Sequence, residues 1–180
     1  MLPTLETERL TIRALHDADV PALFEVFRDP ESTRYWSHPA MTDLTQADGL
    51  LRDIEKNVAT GTFAQWGIAR RADDLVIGTC TLHRILRDHR RAELGYILRR
   101  DHWGRGLAAE ALTRLVDHAF RTLGLHRLEA DIDPRNSASI KLVERLGFKQ
   151  EGLLRERYFV AGDIQDSVIY GLLAPEWSAR

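Results

Sequence analysis

The chain has 180 residues, the length of one ordinary domain, and its 44% hydrophobic and 29% charged residues are typical of a globular protein. Its formal net charge of −2 at pH 7 gives no electrostatic reason to expect binding to nucleic acid or to an anionic membrane. The single cysteine, Cys80, excludes an internal disulfide framework and predicts a reducing compartment such as the cytoplasm. No apolar stretch reaches the roughly 20 residues of a membrane span, and the first residues lack the pattern of a secretory signal.

The hydrophobic pattern alternates between strands and helices along the chain. Strand-like patterns cover residues 9–13, 63–70, 75–84, 91–98, 127–132, 148–157 and 166–173. Helical spacing covers residues 17–28, 42–60, 107–123 and 137–146. An aromatic segment broken by Pro30 and Pro39 predicts a loop or a short helix over residues 29–41. The order predicts one α/β domain in which helices pack on a mixed sheet.

The most informative segment runs from a strand through a glycine-containing turn into a helix. The strand begins near Glu93, and Gly104 and Gly106 precede a helix that begins at Leu107. Glycines let the backbone approach a ligand closely, and the N–H groups at a helix N-terminus carry partial positive charge. This order predicts a site for a phosphate or pyrophosphate, although a plain strand-to-helix turn has the same order. The segment matches neither the P-loop nor the dinucleotide-binding pattern.

A second polar segment precedes the helix over residues 137–146. Asn136 and Ser137 are good N-caps, and Ser139 lies on the first helical turn. The residues alone leave both capping and a functional role open.

Together these segments resemble the GCN5-related N-acetyltransferases (GNATs). The loop of the family that binds the pyrophosphate of coenzyme A is similar to Trp103-Gly104-Arg105-Gly106-Leu107-Ala108. Further segments resemble the branch that acetylates the N-termini of ribosomal proteins (RimJ/RimL type): residues 5–10, 93–96, 136–139, 146–148 and 154–156. The resemblance covers nearly the whole chain in the expected order.

The resemblance implies a mostly antiparallel sheet with a splayed central strand pair, and acetyl-CoA as the cosubstrate. The pyrophosphate is expected on backbone N–H groups of residues 104–108, with Trp103 where the family has Gln or Arg. The resemblance implies that the pantetheine arm of the cofactor contacts Tyr96, Ile97 and Leu98. It implies that the thioester end contacts Asn136 and Ser139. The acceptor site is expected near Trp36 and His38.

Three residues are candidates for proton transfer. Strand alternation places Glu93 and Gly95 on the face opposite Leu94, which makes Glu93 the candidate base. The alternative is a structural ion pair of Glu93 with Arg84, Arg87 or Arg91. Ser139 is the candidate hydrogen-bond donor to the departing sulfur. Tyr158 is the other candidate donor, and the alternative is that its side chain only packs. The seven histidines lack metal-ligand spacing, so no metal is expected.

The resemblance implies transfer of an acetyl group to an amine, and we expect the N-terminal α-amine of a protein, such as a ribosomal protein. At pH 7 an α-amine costs only about 1 kcal/mol to deprotonate, whereas a lysine costs roughly 4.6 kcal/mol. The alternatives are a small-molecule amine as acceptor, or a regulator that binds acyl-CoA without catalysis. The residues leave open whether the protein is a monomer or a homodimer.

Overall fold

Strands and helices alternate along the chain, and a computed structural model describes them over residues 2–160 and 162–178. The strands are β1 (Leu5–Glu6), β2 (Leu10–Arg13), β3 (Ala64–Arg70), β4 (Val76–Leu86), β5 (Arg91–Leu98), β6 (Arg127–Ile132), β7 (Lys149–Val160) and β8 (Asp163–Leu173). The α-helices are α1 (Val20–Phe27), α2 (Leu44–Ala59), α3 (Leu107–Arg121), α4 (Ser137–Arg145) and α5 (Ala174–Ser178). Short 3₁₀ turns precede α1, β5 and the loop that leads to α3.

The strands form one sheet in the order β1-β2-β3-β4-β5-β6-β8-β7. Neighbouring strands are antiparallel except for β5 and β6, which run parallel. The predicted mixed, mostly antiparallel sheet with flanking helices is therefore confirmed. No helix in the described ranges is long and apolar enough to cross a membrane.

Two hydrophobic clusters cover the two faces of the sheet. Helix α3 packs on one face because its apolar residues recur with helical spacing, and Leu112 and Leu115 are fully buried against strand residues such as Trp66. Helices α1 and α2 form the second cluster, which includes Leu23 and Ile97. Strand β5 therefore contributes to both clusters, because successive side chains point to opposite faces.

The predicted inner ends of the last two strands, at residues 157 and 166, are wrong. Strands β7 and β8 continue into a hairpin, in which Tyr158 pairs with Gln165 and Phe159 pairs with Ile164. Phe159 is 75% exposed, so no buried face imposes an alternating pattern on this part of the hairpin. The short elements β1 and α5 were also not predicted, and the other predicted elements are present with ends that differ by a few residues.

Candidate active site

A cleft passes through the sheet where β5 and β6 separate. Their parallel pairing begins at Arg91 and Arg127 and ends at Glu93 and Glu129, although β5 continues along β4 to Leu98. The cleft has a volume of about 940 Å³ and is lined by both strands, the loop before α3 and the start of α4. The predicted splayed strand pair is therefore confirmed, and it opens the cleft.

Side chains of β5 reach both sides of the separated strands. Leu94 and Tyr96 pack with the cluster that contains α3, whereas Ile97 packs with α1 and α2. Glu93 and Gly95 share the face of Ile97, as strand alternation predicted. One strand therefore borders two compartments, one beside α3 and α4 and the other on the opposite face.

The loop before α3 is shaped by two glycines in the left-handed conformation. Gly104 has φ +72° and Gly106 has φ +75°, and α3 begins directly afterwards. The cleft is lined by Trp103, Gly104, Gly106, Leu107 and Ala108, and Arg105 lies outside this lining. A Cβ at Gly104 would meet no atom within 4 Å, so the loop is an open cradle at the positive end of the helix dipole. The arrangement fits an anionic group such as a pyrophosphate.

The side chain of Trp103 anchors this loop. Its indole Nε1 donates a hydrogen bond of 2.6 Å to the carbonyl oxygen of Leu98, at the end of β5. The indole is 44% exposed, so it contributes to the cleft wall as well. Trp103 therefore connects the loop to the strand.

A half-buried carboxylate connects the same loop to the N-terminal segment. Glu110, in the first turn of α3, accepts hydrogen bonds from the hydroxyl of Thr7 (2.6 Å) and from Nε of Arg9 (2.6 Å). Arg9 also donates to the carbonyl oxygen of Arg105 (3.0 Å). Burial raises the pKa of Glu110, but the hydrogen bonds outweigh it and the net pKa is lowered. The sequence segment before β2 therefore holds the loop in place.

Ser139 and Tyr96 form a hydroxyl pair on the α4 side of the cleft. The side-chain oxygen of Asn136 caps α4 by accepting the Ser139 N–H at 3.1 Å. The Ser139 Oγ instead lies 2.9 Å from the hydroxyl oxygen of Tyr96. Burial raises the pKa of Tyr96, and the hydrogen bond with Ser139 only partly opposes this. Capping therefore belongs to Asn136, and the Ser139 hydroxyl is available to the cleft.

Glu93 lies in the other compartment, where it is 7% exposed. Its two carboxylate oxygens are 3.0 and 3.3 Å from Nη1 of Arg84. Of the three arginines considered from the sequence, Arg84 is the partner because β4 has an irregularity there and Arg84 adopts φ +49°. The predicted ion pair exists, and the carboxylate also lines the cleft.

His83 is a neighbour of Glu93 that the sequence analysis missed. The two residues are direct partners in the β4–β5 register, and Nδ1 of His83 is 3.8 Å from the Glu93 carboxylate. Burial lowers the pKa of His83, and Arg84 lowers it further, while Glu93 and Asp131 oppose the shift. The ring is therefore neutral at pH 7. Only the register between strands, which local sequence does not encode, brings it to the site.

Tyr158 lies across the cleft on β7. Its hydroxyl donates a hydrogen bond of 2.6 Å to Oδ2 of Asp131, which also pairs with Arg157 at 3.2 Å. Burial, followed by the contact with Asp131, raises the pKa of Tyr158. The phenol is protonated at neutral pH, and its proton is directed to Asp131.

The two loop residues predicted near the acceptor differ in position. Trp36 lines the cleft and packs edge-on against Phe27, with ring centroids 5.7 Å apart. His38 is exposed, hydrogen-bonds with Ser37 and lies outside the cleft lining. No group of three or more potential metal ligands occurs among residues 2–160 and 162–178.

The comparisons with known proteins agree with this geometry. The model of the acetyltransferase (GNAT) domain matches residues 9–149. The N-acetyltransferase p20 of Bacillus licheniformis is 39% identical over 177 residues, which cover 98% of this chain and 99% of p20. The ribosomal protein uS5-alanine N-acetyltransferase of Escherichia coli is 29% identical over 182 residues, which cover 97% of this chain and 92% of that protein.

A solved structure shares the fold over almost the full length. The spermidine N-acetyltransferase of Vibrio cholerae, in complex with CoA and spermine, has a TM-score of 0.83 and 25% identity, covering 96% of this chain and 99% of that one. The open glycine cradle at α3 fits the pyrophosphate of such a coenzyme. The chain belongs to the GNAT family and is an acetyl-CoA-dependent N-acetyltransferase.

Proposed function

We propose that this chain, as a single domain over residues 1–180, acetylates the N-terminal α-amine of a protein, such as a ribosomal protein, in the cytoplasm. The observation that carries the proposal is that four of the five carboxylates that line the cleft already have arginine partners. Glu93 pairs with Arg84, and Asp131 pairs with Arg157. The E. coli relative named for ribosomal protein uS5 supports a protein acceptor of the RimJ/RimL type.

The paired carboxylates disfavour a polyamine acceptor. A polyamine carries several positive charges, and its recognition depends on carboxylates that are free to face those charges. Asp133 has Arg135 at hydrogen-bond distance, and Glu31 lies 3.5 Å from Arg34. The fifth carboxylate, Asp166, accepts a hydrogen bond from a backbone N–H group. An acceptor with one ionisable amine fits this largely paired set of carboxylates better.

The chemistry also favours an α-amine. At pH 7 its deprotonation costs about 1 kcal/mol, compared with roughly 4.6 kcal/mol for a lysine. We assign proton uptake from the amine to Glu93, directly or through water, because its carboxylate lines the cleft next to a neutral His83. We assign enclosure of the acceptor to Trp36, which lines the cleft. His38 lies outside the cleft lining and is not assigned to the acceptor site.

Acetyl-CoA supplies the acetyl group as a reactive thioester when bound. We assign its pyrophosphate to the backbone N–H groups of residues 104–108, with Trp103 as the anchor of that loop. The arm is assigned to the backbone of Tyr96, Ile97 and Leu98, and the thioester end to Asn136 and Ser139. We assign hydrogen-bond donation to the departing sulfur to Ser139, because Tyr96 can donate to the Ser139 oxygen and leave the Ser139 hydroxyl hydrogen free. The alternative donor, Tyr158, directs its hydroxyl hydrogen to Asp131.

The acceptor is tested with a synthetic peptide that begins with alanine. We expect acetylation of its α-amine, measured by thiol release and by the mass of the product. The matched control is the same peptide with a blocked N-terminus and an internal lysine, and spermidine is assayed in parallel. Turnover on spermidine but not on the peptide would contradict the proposal, and no transfer to any amine would favour a non-catalytic regulator.

Glu93→Gln is expected to lower turnover at pH 7 by roughly 10²–10⁴-fold, the usual contribution of a general base. The loss should shrink between about pH 7 and 9, because the α-amine becomes neutral without help. The lowered pKa of His83 keeps its ring neutral over this range, so it adds no titration of its own. The measurement is the pH–rate profile of matched amounts of folded protein.

The control for Glu93→Gln is Arg84→Gln, which breaks the same ion pair but keeps the carboxylate. It should retain turnover within a few fold. If both variants lose equal activity with a constant ratio across pH, the ion pair and not the base explains the effect.

Ser139→Ala and Tyr96→Phe remove the same hydrogen bond, so each should lower the free energy of unfolding by about 1 kcal/mol. Only Ser139→Ala removes the hydroxyl assigned to the sulfur, so its kcat should fall about 10²-fold, with a loss below tenfold for Tyr96→Phe. Urea unfolding and steady-state kinetics measure the two effects. If Ser139→Ala and Tyr96→Phe lowered kcat equally, the role of Ser139 would be structural and not catalytic.

Gly106→Ala and Gly124→Ala each place a Cβ on a left-handed backbone, with φ +75° and +66°. Both should destabilise the fold by roughly 1–2 kcal/mol. Only Gly106→Ala disturbs the cradle, so calorimetry should detect at least tenfold weaker acetyl-CoA binding for this variant alone. Unchanged affinity would place the pyrophosphate elsewhere.

A further inference from the structure

Three adjacent strands contribute one row of residues to the floor of the acceptor compartment. Gln65 of β3 pairs with Thr81 of β4, and Thr81 pairs with Gly95 of β5. Directly paired residues in an antiparallel sheet point to the same face, with Cβ atoms about 5 Å apart. Strand alternation also places Gly95 on the face of Glu93. The row therefore lies beside the candidate base.

This row forms an open part of that face. The next row includes Ile97, which the cluster of α1 and α2 covers. Gln65, Thr81 and Gly95 instead all line the cleft. A Cβ at Gly95 would meet no atom within 4 Å, and its backbone is not left-handed, so the chain conformation does not require glycine there. The glycine leaves space above the strand for a ligand.

Gln65 and Thr81 are polar side chains without a protein partner. Each is only 6% exposed, and both line the cleft. Within residues 2–160 and 162–178, neither side chain hydrogen-bonds another group of the protein. Neither residue is among the side chains whose polar atoms are sealed from solvent without a partner, so these polar atoms open into the cleft. A ligand in the cleft can therefore supply the hydrogen bonds that the protein does not.

The chemistry of the two side chains matches a peptide group. A glutamine carboxamide both donates and accepts hydrogen bonds, as a peptide N–H and C=O do, and a threonine hydroxyl can do either. Neither side chain carries a charge that would select a cation. The row is thus suited to an uncharged polar backbone and not to the further amines of a polyamine.

The spacing fits the first residues of an extended acceptor. Adjacent strands are about 4.8 Å apart and residues rise about 3.4 Å along a strand, so the backbones at Gln65 and Glu93 are roughly 12 Å apart. An extended chain advances about 3.5 Å per residue. With its amine at Glu93, an acceptor passes over Gly95 and brings its first peptide groups within reach of the two side chains.

We propose that Gln65 and Thr81, above the open floor at Gly95, form a subsite that hydrogen-bonds the first or second peptide group of the acceptor chain. The subsite rests on the proposed function, since it presumes a polypeptide acceptor. It distinguishes a protein N-terminus from an amine that has no peptide group next to it.

The test pairs variants of the enzyme with variants of the acceptor. An alanine-starting tripeptide amide is compared with two analogues in which the first or the second peptide link is an ester. An ester lacks the N–H and has a weaker carbonyl acceptor, but it leaves the α-amine in place. With the parent enzyme, the ester at the contacted link should lower kcat/KM about tenfold. With Gln65→Met, which has similar volume but no such hydrogen bonds, peptide and ester should become equivalent.

Thr81→Val is a second variant with nearly the same shape, and it should reduce the difference between peptide and ester in the same direction. Both variants should raise the KM for the peptide and leave the KM for acetyl-CoA unchanged. The control is Gln150→Met, the same substitution at an exposed residue of β7, which should behave as the parent. Urea unfolding verifies that each variant is folded.

The outcomes separate this proposal from the proposed function. In one outcome the peptide is acetylated, but replacing it by the esters lowers kcat/KM by the same factor in the parent, in Gln65→Met and in Thr81→Val. The subsite is then wrong and the proposed function stands. If the esters are as good as the peptide with the parent enzyme, the subsite is also wrong. If no peptide is acetylated, the proposed function fails, and the assignment to peptide groups fails with it.

Discussion

The interruption of pairing between β5 and β6 is the constraint on which the active site depends. After Glu93 and Glu129 the two strands no longer share a ladder, although each keeps its other neighbour. Backbone groups inside a protein need hydrogen-bond partners, so an opening within a sheet is favourable only where solvent or a ligand supplies them. The split thereby creates a cleft through the middle of a sheet that is otherwise continuous.

Strand β5 connects the two compartments of that cleft because its side chains alternate. Tyr96 faces α4 and meets Ser139, whereas Glu93 and Gly95 face the opposite side, where Arg84 lies. The alternation of side chains along one strand thus separates the groups assigned to the acetyl donor from those assigned to the acceptor. Small changes in the twist or register of β5 would alter both compartments together.

Much of the fold was predictable because its signals are local. Apolar spacing identified α3, and period-two alternation identified β5 with its two faces. The hairpin over residues 158–165 was not predictable, because exposed residues such as Phe159 carry no alternating pattern. Its strand character comes from pairing with the facing strand, which depends on the turn and not on burial.

The sequence by itself determined the glycine turn at Gly104 and Gly106, since backbone conformations of this kind depend on the residue in place. It also determined that Glu93 and Leu94 lie on opposite faces of their strand. Only the tertiary structure decided that Arg84 is the partner of Glu93, and that His83 and Gln65 share its compartment. These neighbours come from other strands, and the register that aligns them is set by the packing of the whole sheet and not by any local segment.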